Sequence, residues 1–76
     1  MRPSELALIA QTRADLASGR ARDAREAAGV RQSEVAAAIG VTRPAVSQWE
    51  SGKSAPDTAH ALAYGKLLRD LARLAA

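Results

Sequence analysis

The stretch Gln32–Lys53, which reads QSEVAAAIGVTRPAVSQWESGK, decides the fold of this 76-residue chain. Val35 and Ile39 lie four residues apart, and Val46 and Trp49 lie three apart. Apolar residues at these spacings share one face of a helix, and such a face is usually buried in the core. The pattern therefore predicts two short helices, each of which buries an apolar face.

The residues between the two helices are those that a sharp turn requires. Gly40 can take the positive φ that ends a helix, and Val41, the one apolar residue of the turn, is expected to reach the core. Thr42 can cap the second helix with its hydroxyl, and Pro44 lacks an N–H that would be unpaired in the first turn anyway. Ala36 lies one turn before Gly40 and is small enough to let the two helices cross closely.

The rest of the chain also has a helical pattern. Alanine is the commonest residue, and β-branched and aromatic residues are scarce, so the composition favours an all-α fold. Glycine and proline punctuation predicts a helix within residues 1–17, a second that stops at Gly29, and a long one from Asp57 onward. Gly65 inside that last helix costs about 1 kcal/mol relative to alanine, and a close helix approach there would explain it.

Length and composition limit the class of protein. A chain of this size forms one domain, residues 1–76, and its core is small enough that oligomerisation or very good helix packing must add stability. The run Leu6–Ala10, which no other apolar run exceeds in length, is far shorter than the roughly 20 residues that span a bilayer. We therefore expect a cytoplasmic protein with no membrane partner.

The residues needed for catalysis or metal binding are scarce. The chain has no cysteine and a single histidine, His60, which excludes a disulfide, a thiolate zinc site and a histidine-pair metal site. The carboxylates are scattered and no glycine-rich phosphate loop is present, so we expect no enzyme, metal, cofactor or small-molecule ligand. The net charge of +3 permits a polyanionic partner without requiring one.

The stretch Gln32–Lys53 resembles the helix-turn-helix of the phage-repressor and Cro-like family, also called the XRE family. The matching positions are Gln32, Ala36, Gly40, Val46 and Trp49–Lys53, with Pro56 after them and Gly19 and Arg25 before them. The sequence departs from the family at Arg31, where a Ser or Thr cap is usual, and in the first 17 residues, which are extra.

The resemblance covers about residues 19–68 and implies a fold. The expected fold is a lambda-repressor-like bundle of about five helices. Residues 18–68 would form its helix-turn-helix core, residues 1–17 an extra N-terminal helix, and residues 69–76 the end of the last helix.

The resemblance also implies a function, which is sequence-specific binding of double-stranded DNA by a transcription regulator. The second helix of such a motif lies in the major groove. Side chains facing away from its apolar stripe are expected to contact bases: Arg43, Pro44, Ser47 and Gln48. Arg43 can bond guanine and Gln48 can bond adenine, each through two hydrogen bonds. The expected phosphate contacts are Arg31, Gln32, Thr42, Ser51 and Lys53.

Glu50 requires a separate explanation, because a free carboxylate close to this surface would repel phosphate. In similar proteins the corresponding glutamate pairs with an arginine of the first family helix, here Arg25. The resemblance therefore implies a structural ion pair between Arg25 and Glu50, and breaking it should cost stability if it is buried.

One half-site of about 4–5 base pairs is not specific in a genome, so we expect a homodimer, a repressor that recognises a palindromic operator. The favoured dimer face is C-terminal: Tyr64, Leu67, Leu68, Leu71 and Leu74. The N-terminal helix would then be a lid on the core. Alternatively, that helix dimerises through Leu6, Ile9 and Leu16, or the two end helices pack on each other within one chain. A rival function is a protein-interaction module, such as an antitoxin or adaptor, in which DNA binding is secondary.

Overall fold

The computed structural model describes residues 1–75, and the chain forms five α-helices over this range. They are α1 (Pro3–Ser18), α2 (Arg20–Ala27), α3 (Gln32–Ile39), α4 (Arg43–Glu50) and α5 (Thr58–Ala75). No strand occurs in this range. The all-α, five-helix expectation is therefore confirmed. None of these helices has both the length and the apolar character needed to cross a bilayer.

The turn between α3 and α4 has the expected form. Gly40 has a φ of +76°, and the N–H of Val41 donates to the carbonyl of Ala36 at 2.9 Å, which closes the end of α3. Thr42 caps α4, since its Oγ1 accepts a hydrogen bond from the N–H of Ala45 at 3.3 Å. Ala36 is buried, as a close crossing of the two helices requires.

The start of α3 is stabilised by Glu34 rather than by a cap at Arg31. The side chain of Arg31 makes no capping hydrogen bond, but its backbone N–H donates to the carboxylate of Glu34 at 2.9 Å. The same arrangement occurs at the start of α1, where the N–H of Arg2 donates to Glu5 at 3.2 Å. A glutamate three residues into the helix therefore partly compensates for the missing Ser or Thr.

The core lies where all five helices meet. Its main cluster consists of Leu16, Ala21, Val35, Ala36, Val46, Trp49 and Tyr64, with at least one residue from every helix. The Trp49 ring lies close to two side chains of α5, with centroid distances of 6.0 Å to His60 and 6.5 Å to Tyr64. These contacts hold α4 against α5, so the outer face of α4 rests on a packed support.

Helix α1 packs across α5 and α2 and reaches α4, so the end helices pack on each other within one chain. Its buried side chains are Ile9, Thr12 and Leu16, whereas Leu6 is 60% exposed. The expectation that Leu6, Ile9 and Leu16 could form a dimer face is wrong, because two of the three already pack in the core of the same chain.

Gly65 lies where α1 comes closest to α5. A Cβ atom at this position would collide with Oγ1 of Thr12 and would lie 3.0 Å from Cγ of Leu8. The close helix approach expected at Gly65 is therefore confirmed, and it explains why the helix carries a glycine at this position.

The proposed C-terminal dimer face also needs a correction. Tyr64 is fully buried within the chain, with its side chain directed at α4, and it cannot belong to an outer face. Leu67, Leu68 and Leu71 are partly buried, and Leu74 is 82% exposed. These four leucines remain a predicted dimer face.

Candidate nucleic-acid interface

The outer face of α4 carries the four side chains expected to contact bases. The inner face is formed by Val46, Trp49 and Glu50, all buried. Arg43, Pro44 and Gln48 are exposed on the other side, and Ser47 is half-buried. The spacing 43, 44, 47, 48 places all four on one face of the helix. The structure thus brings these four residues together on the outer side of α4.

Arg43 is available to a ligand. Within the described part of the chain, no carboxylate lies within ion-pair distance of its guanidinium. It lies at the start of α4, which is the end where a recognition helix usually approaches base edges. A planar fork of N–H donors in this position can bond the two acceptors of a guanine.

An open cleft of about 610 Å³ lies beside Arg43, between the end of α2 and the beginnings of α3 and α4. Its lining is Arg22, Arg25, Glu26, Gly29, Val30, Arg31, Gln32, Ser33 and Arg43. Arg25 is paired with Glu50, and Arg22 lies 3.5 Å from Glu26, so the positive potential of the cleft comes from Arg31 and Arg43. The free N–H groups of the first turn of α3 add to it. The arrangement suits a phosphate group.

The residues expected to contact phosphate divide into groups at opposite ends of α4. Arg31 and Gln32 line the cleft, while Ser51 and Lys53 lie exposed in the turn that follows α4. Thr42 is exposed at the N-cap of α4 and keeps its hydroxyl hydrogen free to donate. The residues predicted to contact phosphate therefore lie in two separate groups, one at each end of α4.

Two residues of the cleft were not predicted from the sequence. Arg22 lines the cleft and contacts Glu26 at 3.5 Å, and Ser33 lies in the first turn of α3. The position of Arg22, three residues before Arg25 and hence on the same side of α2, was the available signal. Nothing in the sequence separates Ser33 from an ordinary solvated serine.

Beneath the outer face, Glu50 and Arg25 form a buried ion pair. Arg25 Nε donates to Glu50 Oε2 at 2.7 Å, and Nη2 donates to Oε1 at 2.8 Å. Arg25 Nη1 also donates to the carbonyl of Val30 at 2.8 Å. The pair therefore ties the end of α4 to α2 and to the segment before α3.

Two further side chains complete the cluster around Glu50. Gln32 Nε2 donates to Oε1 at 3.0 Å, and the Tyr64 hydroxyl donates to Oε2 at 2.7 Å. Gln32 thus uses one of its two side-chain N–H donors on Glu50 and keeps the other, with its backbone N–H, for the cleft. No buried polar side-chain atom in the described residues lacks a hydrogen-bond partner.

The cluster changes the acidity of its members. Burial alone would raise the pKa of Glu50, but hydrogen bonds from Arg25, Gln32 and Tyr64 outweigh it, and the pKa lies below its ordinary value. The hydrogen bond to Glu50 raises the pKa of Arg25. Burial raises the pKa of Tyr64, and the neighbouring carboxylate raises it further. At neutral pH the cluster therefore holds one anion and one cation, and little net charge is left to repel phosphate.

Comparison with known proteins agrees with this arrangement. The model of the helix-turn-helix family, of the XRE type, matches residues 22–74, which is well over half of the chain. The match begins inside α2 and ends near the end of α5, so α1 lies outside it. Proteins of this family are DNA-binding regulators. No curated protein and no solved structure matches the chain.

Proposed function

This chain belongs to the helix-turn-helix family of DNA-binding regulators, and from that premise we propose that it is a repressor that recognises a near-palindromic operator as a homodimer. The single observation that carries the proposal is the outer face of α4. It presents Arg43 and Gln48 to solvent, with the half-buried Ser47 between them, while the inner face is held in the core.

The proposed recognition places α4 in the major groove. Arg43 bonds a guanine and Gln48 an adenine, each worth about 1–3 kcal/mol of discrimination against the wrong base. Ser47 accepts several bases, and Pro44, which has no donor, makes an apolar contact such as one to a thymine methyl group. These four positions determine the sequence preference.

The proposed backbone contacts flank α4. The cleft at its start holds one phosphate among Arg22, Arg31, Gln32 and Ser33, with Thr42 nearby. Ser51 and Lys53 hold another beyond its end. The charged contacts release counterions, so affinity falls steeply as the salt concentration rises.

The dimer is proposed because one protomer covers too few base pairs for genomic specificity. Its proposed interface is the leucine stripe of α5, formed by Leu71 and Leu74 together with Leu67 and Leu68, which also pack partly against the core. Leu74 in particular leaves a large apolar side chain in water, and a second copy would cover it. Repression then follows from occupying the operator and blocking access to it.

Selection of bound sequences from a random pool of DNA duplexes tests the proposal directly. The expected result is an inverted repeat whose half-site centres lie about one helical turn apart. Recovery of a single unrepeated motif would contradict the dimer, and recovery of no motif would contradict sequence-specific recognition.

The rival proposal is an interaction module whose end helices bind a partner protein. It is favoured by two exposed leucines, Leu6 on α1 and Leu74 on α5, which are 60% and 82% exposed. Under this proposal, removing Arg43 and Gln48 would leave the cellular phenotype intact. Under the operator proposal, the same change would abolish it.

A further inference from the structure

Tyr64 buries a polar group that packing does not require. Its side chain is fully buried, and its ring lies 6.5 Å from that of Trp49. A phenylalanine would fill nearly the same space without a hydroxyl to remove from water. The hydroxyl is nevertheless fully used, since it donates to Glu50 Oε2 at 2.7 Å.

The partner of this hydroxyl is the last residue of the helix that faces DNA. The Glu50 carboxylate accepts hydrogen bonds from Arg25 of α2, Gln32 of α3 and Tyr64 of α5. Tyr64 is the member of this cluster that belongs to α5. Its hydroxyl therefore fixes the end of α4 to the helix that packs behind the whole motif.

Tyr64 is itself held from the other side. The next residue, Gly65, lies directly against Thr12 of α1, with no room for a Cβ atom between the two helices. Oγ1 of Thr12 donates to the carbonyl of Leu8 at 2.7 Å, so it has a defined position. The contact extends from α1 through α5 to Glu50 and thus links a helix outside the family match to the DNA-facing helix.

We propose that the Tyr64 hydroxyl is a positioning group that, through Glu50, fixes the orientation of α4 relative to α2 and α3 and so sets the selectivity of operator binding. The inference rests on the proposed function, because the orientation of α4 matters to selectivity only if α4 contacts bases. An error of about 1 Å in the position of Arg43 or Gln48 would spoil two-point hydrogen bonding to a base. Phosphate contacts, made by flexible side chains, tolerate such an error better.

The test is the variant Tyr64→Phe, compared with Ile9→Val. Tyr64→Phe removes one buried hydroxyl group, and Ile9→Val removes one buried carbon atom. Ile9 lies on α1 and outside the Glu50 cluster. Each protein is titrated with the selected operator duplex and with a mixed-sequence duplex, at a temperature where circular dichroism shows both variants fully folded. We expect Tyr64→Phe to bind the operator about tenfold more weakly, as expected when a misplaced α4 weakens one two-point contact to a base. Its affinity for the mixed duplex should stay close to that of the wild type.

A pH profile of operator binding separates positioning from packing. The groups facing Glu50 are Arg25, Gln32 and Tyr64, and Glu26 acts on Arg25 from further away. Removing the Tyr64 hydroxyl removes one of the hydrogen bonds that lower the pKa of Glu50. The acid limb of the profile, where operator binding is lost as the pH falls, should therefore move to higher pH in Tyr64→Phe and stay in place in Ile9→Val.

The outcomes separate this inference from the proposed function. If the wild type selects no duplex, the proposed function fails. If the wild type selects an operator and Tyr64→Phe binds it as tightly, with an unmoved acid limb, only the positioning role fails. Equal weakening in Tyr64→Phe and Ile9→Val would also overturn it. Should Tyr64→Phe unfold in buffer alone, the same titrations in trimethylamine N-oxide, which favours the folded state, decide the matter.

Discussion

At the scale of single residues, the carboxylate of Glu50 lies beneath the outer face of α4 and accepts hydrogen bonds from three side chains. Moving two charges out of water costs free energy, so the buried ion pair of Arg25 and Glu50 adds little net stability by comparison with an apolar pair. Removing one partner is different, because the remaining charge stays buried without compensation. The cluster is therefore sensitive to single changes.

We predict that Glu50→Ala lowers both thermal stability and DNA binding. The uncompensated Arg25 should cost about 3–5 kcal/mol, a large share of the stability of a domain this small. Thermal unfolding followed by circular dichroism measures the effect. The control is the double variant Arg25→Met with Glu50→Leu, which should lose less stability than Glu50→Ala. Full stability in Glu50→Ala would refute the structural role of the pair.

The lowered pKa of Glu50 predicts a loss of stability in acid. A carboxyl group whose pKa is lower in the folded than in the unfolded chain stabilises the fold. This stabilisation is fully present at pH values above the pKa in the unfolded chain, which is about 4.5 here. This contribution disappears as the pH falls from there through the folded pKa. Urea midpoints should therefore hold between pH 7 and about pH 5 and fall below that.

The matched control for the acid measurement is Glu26→Gln, which changes an exposed carboxylate of α2. The urea midpoint of Glu26→Gln should change with pH as that of the wild type does. The urea midpoint of Glu50→Gln should be lower at neutral pH and should fall less as the pH is lowered. Parallel profiles in the wild type and Glu50→Gln would show that another group controls acid sensitivity.

The position and role of a single residue were predictable only where the resemblance or the helical spacing indicated them. The resemblance suggested the pairing of Arg25 with Glu50, and helical spacing placed Arg43 and Gln48 opposite Val46 and Trp49. Tyr64 was misplaced on an outer face because the leucine stripe of the last helix passes close to it. Its partner is 14 residues away in sequence, and only the packing of α4 on α5 brings the two together.

At the scale of helices, the pair α3 and α4 was the most predictable part of the fold. Its turn is specified locally by Gly40, Thr42 and Pro44, and local signals do not depend on the rest of the chain. The course of α1 was less predictable. Its buried face includes Thr12, a polar residue that bonds its own helix backbone at Leu8 and so can be buried without an outside partner.

The close approach of α1 and α5 leads to a prediction at Gly65. Alanine favours a helix by about 1 kcal/mol over glycine, so Gly65→Ala would stabilise a free helix. Here the new methyl group meets Thr12 Oγ1, and we expect lower thermal stability, by about 1–3 kcal/mol, as in an overpacked core.

A double variant shows whether the clash is the cause. Thr12→Ala removes the atom that the new methyl group meets, so Gly65→Ala should be far less harmful in that background. If the loss of stability in the double variant equals the sum of the losses in the two single variants, α1 and α5 do not meet at these residues.

At the scale of the whole molecule, oligomeric state is the property that sequence and fold leave as a proposal. The leucine stripe of α5, of which Leu67 and Leu68 pack partly against the core and Leu74 is exposed, predicts a homodimer. Analytical ultracentrifugation at micromolar concentration measures it. Leu74→Glu should shift the protein toward monomer and weaken operator binding, because the side chain is exposed and the change leaves the core intact. A monomer both with and without operator DNA would contradict the dimer.

The central claim is that the outer face of α4 recognises bases, and one titration tests it most directly. The double variant Arg43→Ala with Gln48→Ala is compared with the wild type on the selected operator duplex and on a mixed-sequence duplex. Both side chains are exposed, so thermal stability should not change. We predict that affinity for the operator falls about thirtyfold or more, toward that for the mixed duplex, which itself changes little. A double variant that still prefers the operator as strongly as the wild type would contradict the account.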